Sequence, residues 1–433
     1  MPTVVFDVRA NHDTGVSRYG LSLLATAAPL AVRAGWRLLS VAQPIQEERA
    51  RAATAGLGVP VVTCPHEEGF VRRAPWLRDL LVEQDADLYF TSHYLPDRRC
   101  PVPFVFTIHD LTRLRFPELS YSDASFAERF GVGEMDLLRR ELAELSAWDQ
   151  SEDGDGLFTR YFRTINRHLV QRAERLITVS RSTASDVAGI LGVDAARLDL
   201  VPCAVDGGVF HRRDVTAVQA VRRHYGLAGP YLMFVGLVHP NKRFPWLVEQ
   251  LVRARHRFPA DARLVAVGGH AEQTREVHRL LWRHDATDFV VFAGRVCDGD
   301  LAALYSGAAA LVTASINEGS SLPPMEAMAC GCQVIATDIP ALRESLGRGA
   351  TLFDPARADQ FADLAEAALR GRLPDHASIF RPLEWRASGH RLVHALGKAL
   401  AGTAGAAVER TDAAPDCVTT PTTPSGFVHS RPA

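Results

Sequence analysis

Lysine is nearly missing from this chain. Of 48 lysines and arginines only Lys242 and Lys398 are lysine, so almost every cation is a guanidinium. A bias that even reads as compositional, but it makes the place of each lysine informative. A basic excess is missing too. Asp and Glu number 50, the formal net charge is −2, and a partner held through nucleic-acid phosphates is not expected. The seven cysteines, at 64, 100, 203, 297, 330, 332 and 416, are scattered and odd in number. Met1-Pro2-Thr3 runs straight into the strand-like Val4-Val5-Phe6 with no signal peptide, so the expectation is a reducing cytoplasm. Cys330-Gly331-Cys332 lacks a second pair at zinc-like spacing and reads as two packed thiols flanking a turn. Asp153-Gly154-Asp155 and Asp298-Gly299-Asp300 read as loop and helix-cap sequences, so no bound metal is expected. No apolar run is long enough to span a bilayer. Residues 70–81 (FVRRAPWLRDLL) could lie on a membrane surface, but a surface helix with one face in the core is the preferred reading.

What is present is a repeated α/β rhythm. The 433 residues, 47% hydrophobic and 23% charged, exceed one ordinary core and suggest two domains. Apolar runs at 3–8, 37–42, 59–63, 87–91, 103–108, 175–180 and 198–202 read as strands separated by helical patterns. The scheme repeats at 231–236, 263–268, 289–293, 309–314 and 333–337. Continuous apolar strands alternating with helices imply parallel sheets covered on both faces. The expected organisation is therefore two doubly wound domains, 1–205 and 206–380, linked where Asp206-Gly207-Gly208 breaks the pattern. Residues 120–156 depart from the rhythm and read as an insertion, either an acceptor-binding or lid element or a solvated excursion. A helix over 381–402 precedes a Thr-, Pro-, Ala- and Ser-rich tail, 403–433, expected to be disordered.

The most informative stretch is 314–338 (ASINEGSSLPPMEAMACGCQVIATD). A strand ends near Thr313, a loop carries Glu318-Gly319-Ser320-Ser321, and a helix begins around Pro323. Ser at the cap, Pro in the first turn and Gly331 past the end agree as start and stop signals. Such a loop lies at the carboxyl end of a parallel strand, where open sheets bind ligands. Gly319 permits close backbone approach, and the amide N–H groups at the helix start suit a phosphate. Glu318 and Glu326, as acceptors, suit sugar and ribose hydroxyls; a capped core helix with two surface glutamates explains them equally well. Lys242 follows the turn at Gly236, where a compact ammonium on a flexible stem suits a leaving diphosphate. An exposed turn lysine is the plainer alternative. His109-Asp110 ends another strand, and Gly15 precedes a helix after the first one.

Together these residues resemble glycosyltransferase family 4, a retaining family with the GT-B fold. Two glutamates separated by seven residues form its signature, and Glu318 and Glu326 have that spacing. The likeness spans roughly residues 3–115 and 160–400. It implies two Rossmann-like domains facing across a cleft and a final helix, near Leu383-Glu384-Trp385, crossing back to the first domain. It further implies that Glu318 contacts the donor sugar and Glu326 the ribose, and that Lys242 meets the diphosphate. By the same resemblance His109 would hydrogen-bond the donor sugar, while Asp110 would orient it or meet the acceptor. The backbone at Gly15 approaches donor phosphate or acceptor, and Gly236, Gly319, Ser320, Ser321 and Leu322 line the donor. Gly294 and Arg295 fall beside the nucleotide base. Leu237 stands where the family often has Arg, with Arg243 as its substitute.

The resemblance implies metal-independent transfer of a hexose from a nucleotide-diphosphate sugar, such as GDP-mannose or UDP-glucose. The acceptor is a hydroxyl of a glycan, a lipid-linked sugar or a small molecule. No cofactor is expected, and the setting is the cytoplasm, either free or peripheral at the inner membrane face. A GT-B phosphorylase or epimerase, or a non-catalytic nucleotide-binding scaffold, are the alternatives. A glycoside hydrolase is disfavoured, because both carboxylates belong to one loop-helix unit.

Overall fold

The computed structural model describes residues 1–10, 14–65, 74–93, 95–149, 155–269 and 274–412, with side chains through 402. The first sheet contains β1 (Thr3–Asp7), β2 (Arg37–Ala42), β3 (Val61–Thr63), β4 (Leu88–Thr91), β5 (Phe104–Ile108), β6 (Arg175–Thr178) and β7 (Leu198–Leu200). The second contains β8 (Tyr231–Val235), β9 (Arg263–Val267), β10 (Val290–Gly294), β11 (Ala310–Thr313), β12 (Val334–Thr337) and β13 (Thr351–Phe353). Their spatial orders are β3-β2-β1-β4-β5-β6-β7 and β10-β9-β8-β11-β12-β13. All pairings between these strands are parallel. The chain fails to alternate because both faces are covered: β1 and β5 are buried at every residue.

Every expected strand forms, with ends shifted by a residue or two. β13 was not expected; its three residues behind Gly347-Arg348-Gly349 are too few to carry a periodic signal. The final helix also runs further than expected, from Trp385 to Asp412. Alanine-rich 403–412 holds no proline and continues the helix, whereas the rest of the expected tail, 413–433, lies outside the described residues.

That helix packs against the opening helix, Gly15–Arg33, of the first sheet. Ser388 Oγ donates to Pro202 O at 2.7 Å, and the N–H of Val205 donates to Leu383 O at 3.0 Å. One hydrophobic cluster consequently runs from β1 through both helices to β8 and β11.

The departure at 120–156 is packed rather than solvated. Helices Asp123–Phe130 and Val132–Glu144 bury Phe126, Met135, Leu138 and Leu142 in the core on the other face of the first sheet. Residues 150–154 lie outside the described residues. Of the 70–81 segment, the described part forms a helix, Pro75–Glu83, that turns Leu77 and Leu81 inward, as the surface-helix reading expects. Cys330 and Cys332 are both buried around Gly331, whose φ of +78° is the left-handed value a helix stop needs.

Candidate functional site

Strand order reverses between β8 and β11, so the loops leaving their carboxyl ends meet although they are far apart in sequence. Asn241 stitches them together. Its carbonyl accepts from the N–H of Ile316 at 2.9 Å, and its Nδ2 donates to Asn317 O at 3.0 Å. On that support Lys242 Nζ pairs with Glu318 Oε1, which also accepts from Ser315 Oγ at 2.7 Å. Glu318 is buried and Lys242 partly so. The sequence marked Lys242 and Glu318 but not Asn241 and Ser315; a loop asparagine and a serine at a strand end carry no distinctive spacing.

The facing wall comes from the carboxyl ends of β1, β4 and β5. His109 Nε2 lies 2.7 Å from Ser92 O. A carbonyl can only accept, so Nε2 carries the proton and Nδ1 keeps its lone pair. Burial lowers the His109 pKa, against the opposing effects of the Ser92 contact and Asp110, and the imidazole is neutral near pH 7. Its ring meets the edge of Tyr19, 5.1 Å between centroids, and Tyr19 in turn meets Trp385 at 5.8 Å. Tyr19 OH donates to Val201 O at 2.9 Å, so this tyrosine orients the histidine. Asp110 Oδ1 accepts from the N–H of Thr112 at 2.9 Å and starts the short helix Thr112–Arg115.

The two walls touch. A Cβ on Gly319 would lie 1.7 Å from His109 O, so only glycine permits this approach of one backbone to the other. Asn317 Nδ2 donates to Thr112 Oγ1 at 2.8 Å. The Glu344 carboxylate accepts from the N–H groups of Arg181 and Ser182, at 2.9 and 3.2 Å, at the start of helix Arg181–Leu191. Ser180 caps the same helix by accepting from the N–H of Thr183 at 3.0 Å.

Helix Leu322–Ala329 begins one residue before Pro323, with Ser321 at the cap position but no side-chain capping bond. Its first N–H groups have no carbonyl within the helix to accept them. Gly15 faces Leu322 across the seam, 3.8 Å from a Cβ on the glycine to Leu322 Cδ1. Ser320 approaches Cys203 of the first half. Glu326, in the helix's second turn, is almost fully buried opposite Arg18 of the opening helix, with 3.4 Å between Oε1 and Nη1. Arg18 Nη2 also reaches Asp298 Oδ1 at 2.6 Å. Burial pushes the Glu326 carboxyl up to about 7; Arg18 opposes this and Asp298 adds to it. Burial alone lowers Arg18, but the two carboxylates outweigh it and the net shift is upward. Asp298, which reads in sequence as part of a helix cap, is thus also an interdomain partner.

Gly236, Gly268 and Gly294 adjoin one another at the ends of β8, β9 and β10, where the N–H of Gly268 donates to Gly294 O at 2.8 Å. Arg295 beside them is exposed. Arg243 is not brought to Lys242 and Glu318. Its guanidinium stacks on Trp246, 4.1 Å from the ring centroid, and donates to Pro355 O at 3.1 Å. It faces a cavity of about 470 Å³ lined also by His239 and Trp246, so it does not stand in for the arginine missing at Leu237. Its left-handed backbone, φ +50°, turns the side chain that way.

Comparison with known proteins agrees with this geometry. Residues 14–204 match the model of a glycosyl transferase 4-like domain, and residues 229–370 match that of glycosyl transferases group 1. Over 247 residues the chain is 27% identical to the serotype-specific mannosyltransferase WbdA of Escherichia coli, covering 55% of this chain and 29% of that protein. It is 26% identical over 359 residues to a D-inositol 3-phosphate glycosyltransferase of Mycobacteroides abscessus, covering 79% and 70%. The chain spans about half or less of the other curated relatives it matches. In fold it resembles Anabaena Alr3699/HepE, solved in complex with UDP and glucose, with a TM-score of 0.60 at 15% identity over 96% of this chain and 100% of that one. With both halves matched and the GT-B arrangement of the two sheets in place, the chain belongs to the group 1, family-4-type glycosyltransferases.

Proposed function

We propose that the protein is a retaining, metal-independent hexosyltransferase using a nucleoside-diphosphate sugar. The observation that carries this reading is the Lys242–Glu318 pair at the β8–β11 switch point, set opposite His109 across the seam. The mannosyltransferase names among the relatives favour a mannose-type donor, and the UDP and glucose of the fold neighbour a glucose-type one; GDP-mannose and UDP-glucose are the donors we propose. The acceptor is a hydroxyl on a glycan, a lipid-linked sugar or a small molecule, in keeping with polysaccharide assembly at the cytoplasmic face of a membrane. Among the described residues no helix is long and apolar enough to cross one.

In this reading the bond from the anomeric carbon to the diphosphate oxygen breaks as the acceptor oxygen bonds to the same face. The acceptor's proton passes to the departing phosphate oxygen. Negative charge then builds on the diphosphate, and Lys242 meets it: one of its three N–H donors serves Glu318 and two remain. The N–H groups of residues 319–322 and the positive end of the following helix add to it. Glu318 holds the ammonium in place and offers its other oxygen to a sugar hydroxyl. His109 Nδ1, with Nε2 committed to Ser92, accepts from another, and Asp110 orients the sugar or meets the acceptor. Glu326 receives the ribose hydroxyls.

Calorimetric titration with GDP, UDP, ADP and dTDP, with and without chelator, tests the donor site. One nucleotide is expected to bind regardless of chelator and to bind more weakly to Glu326→Ala. Binding of none would favour a scaffold role. An inverted anomeric configuration in the product would refute the retaining mechanism.

A further inference from the structure

The geometry points to Arg113 as the anchor of an anionic acceptor: a sugar or polyol bearing a phosphate or carboxylate near the hydroxyl that receives the hexose. This inference rests on the transferase reading above. Arg113 lies three residues beyond Asp110 on helix Thr112–Arg115, beside the Thr112 that meets Asn317 across the seam. Its guanidinium carbon sits 5.0 Å from the centroid of the Tyr121 ring and 5.1 Å from that of Phe158. Those two rings meet edge to face at 5.5 Å, and Phe126 stacks on Phe158 at 5.2 Å. Tyr121 and Phe126 belong to the segment that departs from the α/β rhythm, so its packed helices help build the wall that holds this cation.

Arg113 Nη1 is buried and has no hydrogen-bond partner. Among the described residues no carboxylate pairs with Arg113, although Arg18, Arg98, Arg115 and Arg175 each have at least one. A guanidinium that stacks on aromatic rings presents its in-plane N–H edges to a ligand. That fork matches the two oxygens of a carboxylate or phosphate. A buried N–H without an acceptor is unfavourable, and because the side chain as a whole is only half-buried, turning its accessible edge to a bound oxyanion relieves it. The positive charge of Arg113 reaches His239 on the β8 loop opposite and, after burial, is the next influence lowering that histidine. Arg113 thus stands within electrostatic reach of the seam, next to the Thr112–Asn317 contact that crosses it. The donor diphosphate is served by Lys242 and residues 319–322 of the second half. Arg113 belongs to the first half, beyond Asp110, and its anion is the acceptor's.

The test is calorimetry on the full chain saturated with its nucleoside diphosphate. The probes are paired: mannose and mannose 6-phosphate, myo-inositol and its 1-phosphate, glucose and glucuronate. A short-chain lipid-diphosphate-linked N-acetylglucosamine, paired with free N-acetylglucosamine, separates a lipid-borne anion from a soluble one. At least one charged probe is expected to bind about tenfold or more tightly than its neutral partner. Arg113→Gln should erase that preference while leaving nucleoside-diphosphate affinity within about twofold. Arg113→Lys, which keeps the charge without the fork, should retain part of it. The lysine variant also carries the test if thermal melting shows the glutamine variant unfolded. No preference for any charged probe, with nucleotide still bound, overturns the proposal and leaves the transferase reading standing. A fall in nucleotide affinity of about tenfold in Arg113→Gln overturns it by placing the cation on the donor. A wild-type protein that binds no nucleotide removes the reading beneath it.

Discussion

Arg18 and Glu326 face each other 3.4 Å apart across the seam between the two sheets, with the other arm of the guanidinium 2.6 Å from Asp298. One arginine of the first half thus holds two carboxylates of the second. It does so at the helix whose Glu326 is proposed to take the ribose, so the contact between the two halves and the proposed donor contact share one side chain.

Burial raises the Glu326 carboxyl from its ordinary 4.5 to about 7, so the folded protein favours the protonated form. The stability this allows is fully present below 4.5 and is lost as pH rises through about 7. The loss should be on the order of 3 kcal/mol between those limits. Urea midpoints at pH 5 and pH 8 measure it, and Glu326→Gln should flatten the difference. An unchanged slope in the variant would show that another group titrates.

Removing Lys242 takes away the charge proposed to meet the departing diphosphate. Lys242→Ala is expected to lower kcat by about 10²–10³. Lys242→Arg should not restore it, because a planar fork replaces a compact ammonium. Steady-state kinetics with the donor identified by titration decide this. Turnover within about tenfold of wild type in the alanine variant would move the role elsewhere.

Gly319→Ala places a methyl group against the His109 carbonyl, so the seam must open. Turnover should fall steeply and nucleotide affinity should fall with it, because the displaced loop carries N–H groups proposed to serve the diphosphate. Small-angle scattering should record a larger radius of gyration than wild type. A variant with the wild-type radius and full activity would show that the backbones need not approach so closely.

Glu344 caps a helix of the opposite half. Glu344→Ala should cost about 0.5–2 kcal/mol of that capping and shift the protein toward open forms, again visible by scattering. Combined with Asn317→Ala, the two effects should exceed either alone, because both contacts resist the same opening. A protein as closed as wild type after both changes would refute a clamp at this seam.

The strands were legible because both sheet faces are buried, which turns β1, β5, β8 and β11 into continuous apolar runs bounded by turn residues. The loop with Glu318, the stop at Gly331 and the isolated Lys242 were legible for local reasons: capping, positive φ and scarcity. β13 was too short to signal, and the final helix outran a composition read as disorder. Arg243 illustrates the limit of local reading. It is the right residue type near the right place, but its left-handed backbone sends it to Trp246 and Pro355.

What the sequence by itself determined is the pair of parallel sheets, the family, and the loops that bear Glu318, Lys242 and His109. Periodicity and capping depend on neighbours a few residues apart, and every chain carries them openly. Only the tertiary structure decided that Arg18 meets Asp298 280 residues away, that Gly319 rests on His109, and that Arg113 finds no carboxylate among the described residues. Those contacts follow from how two separately folded sheets come to face each other. That placement is set by one shared core and a crossing helix, and no local pattern of residues records it.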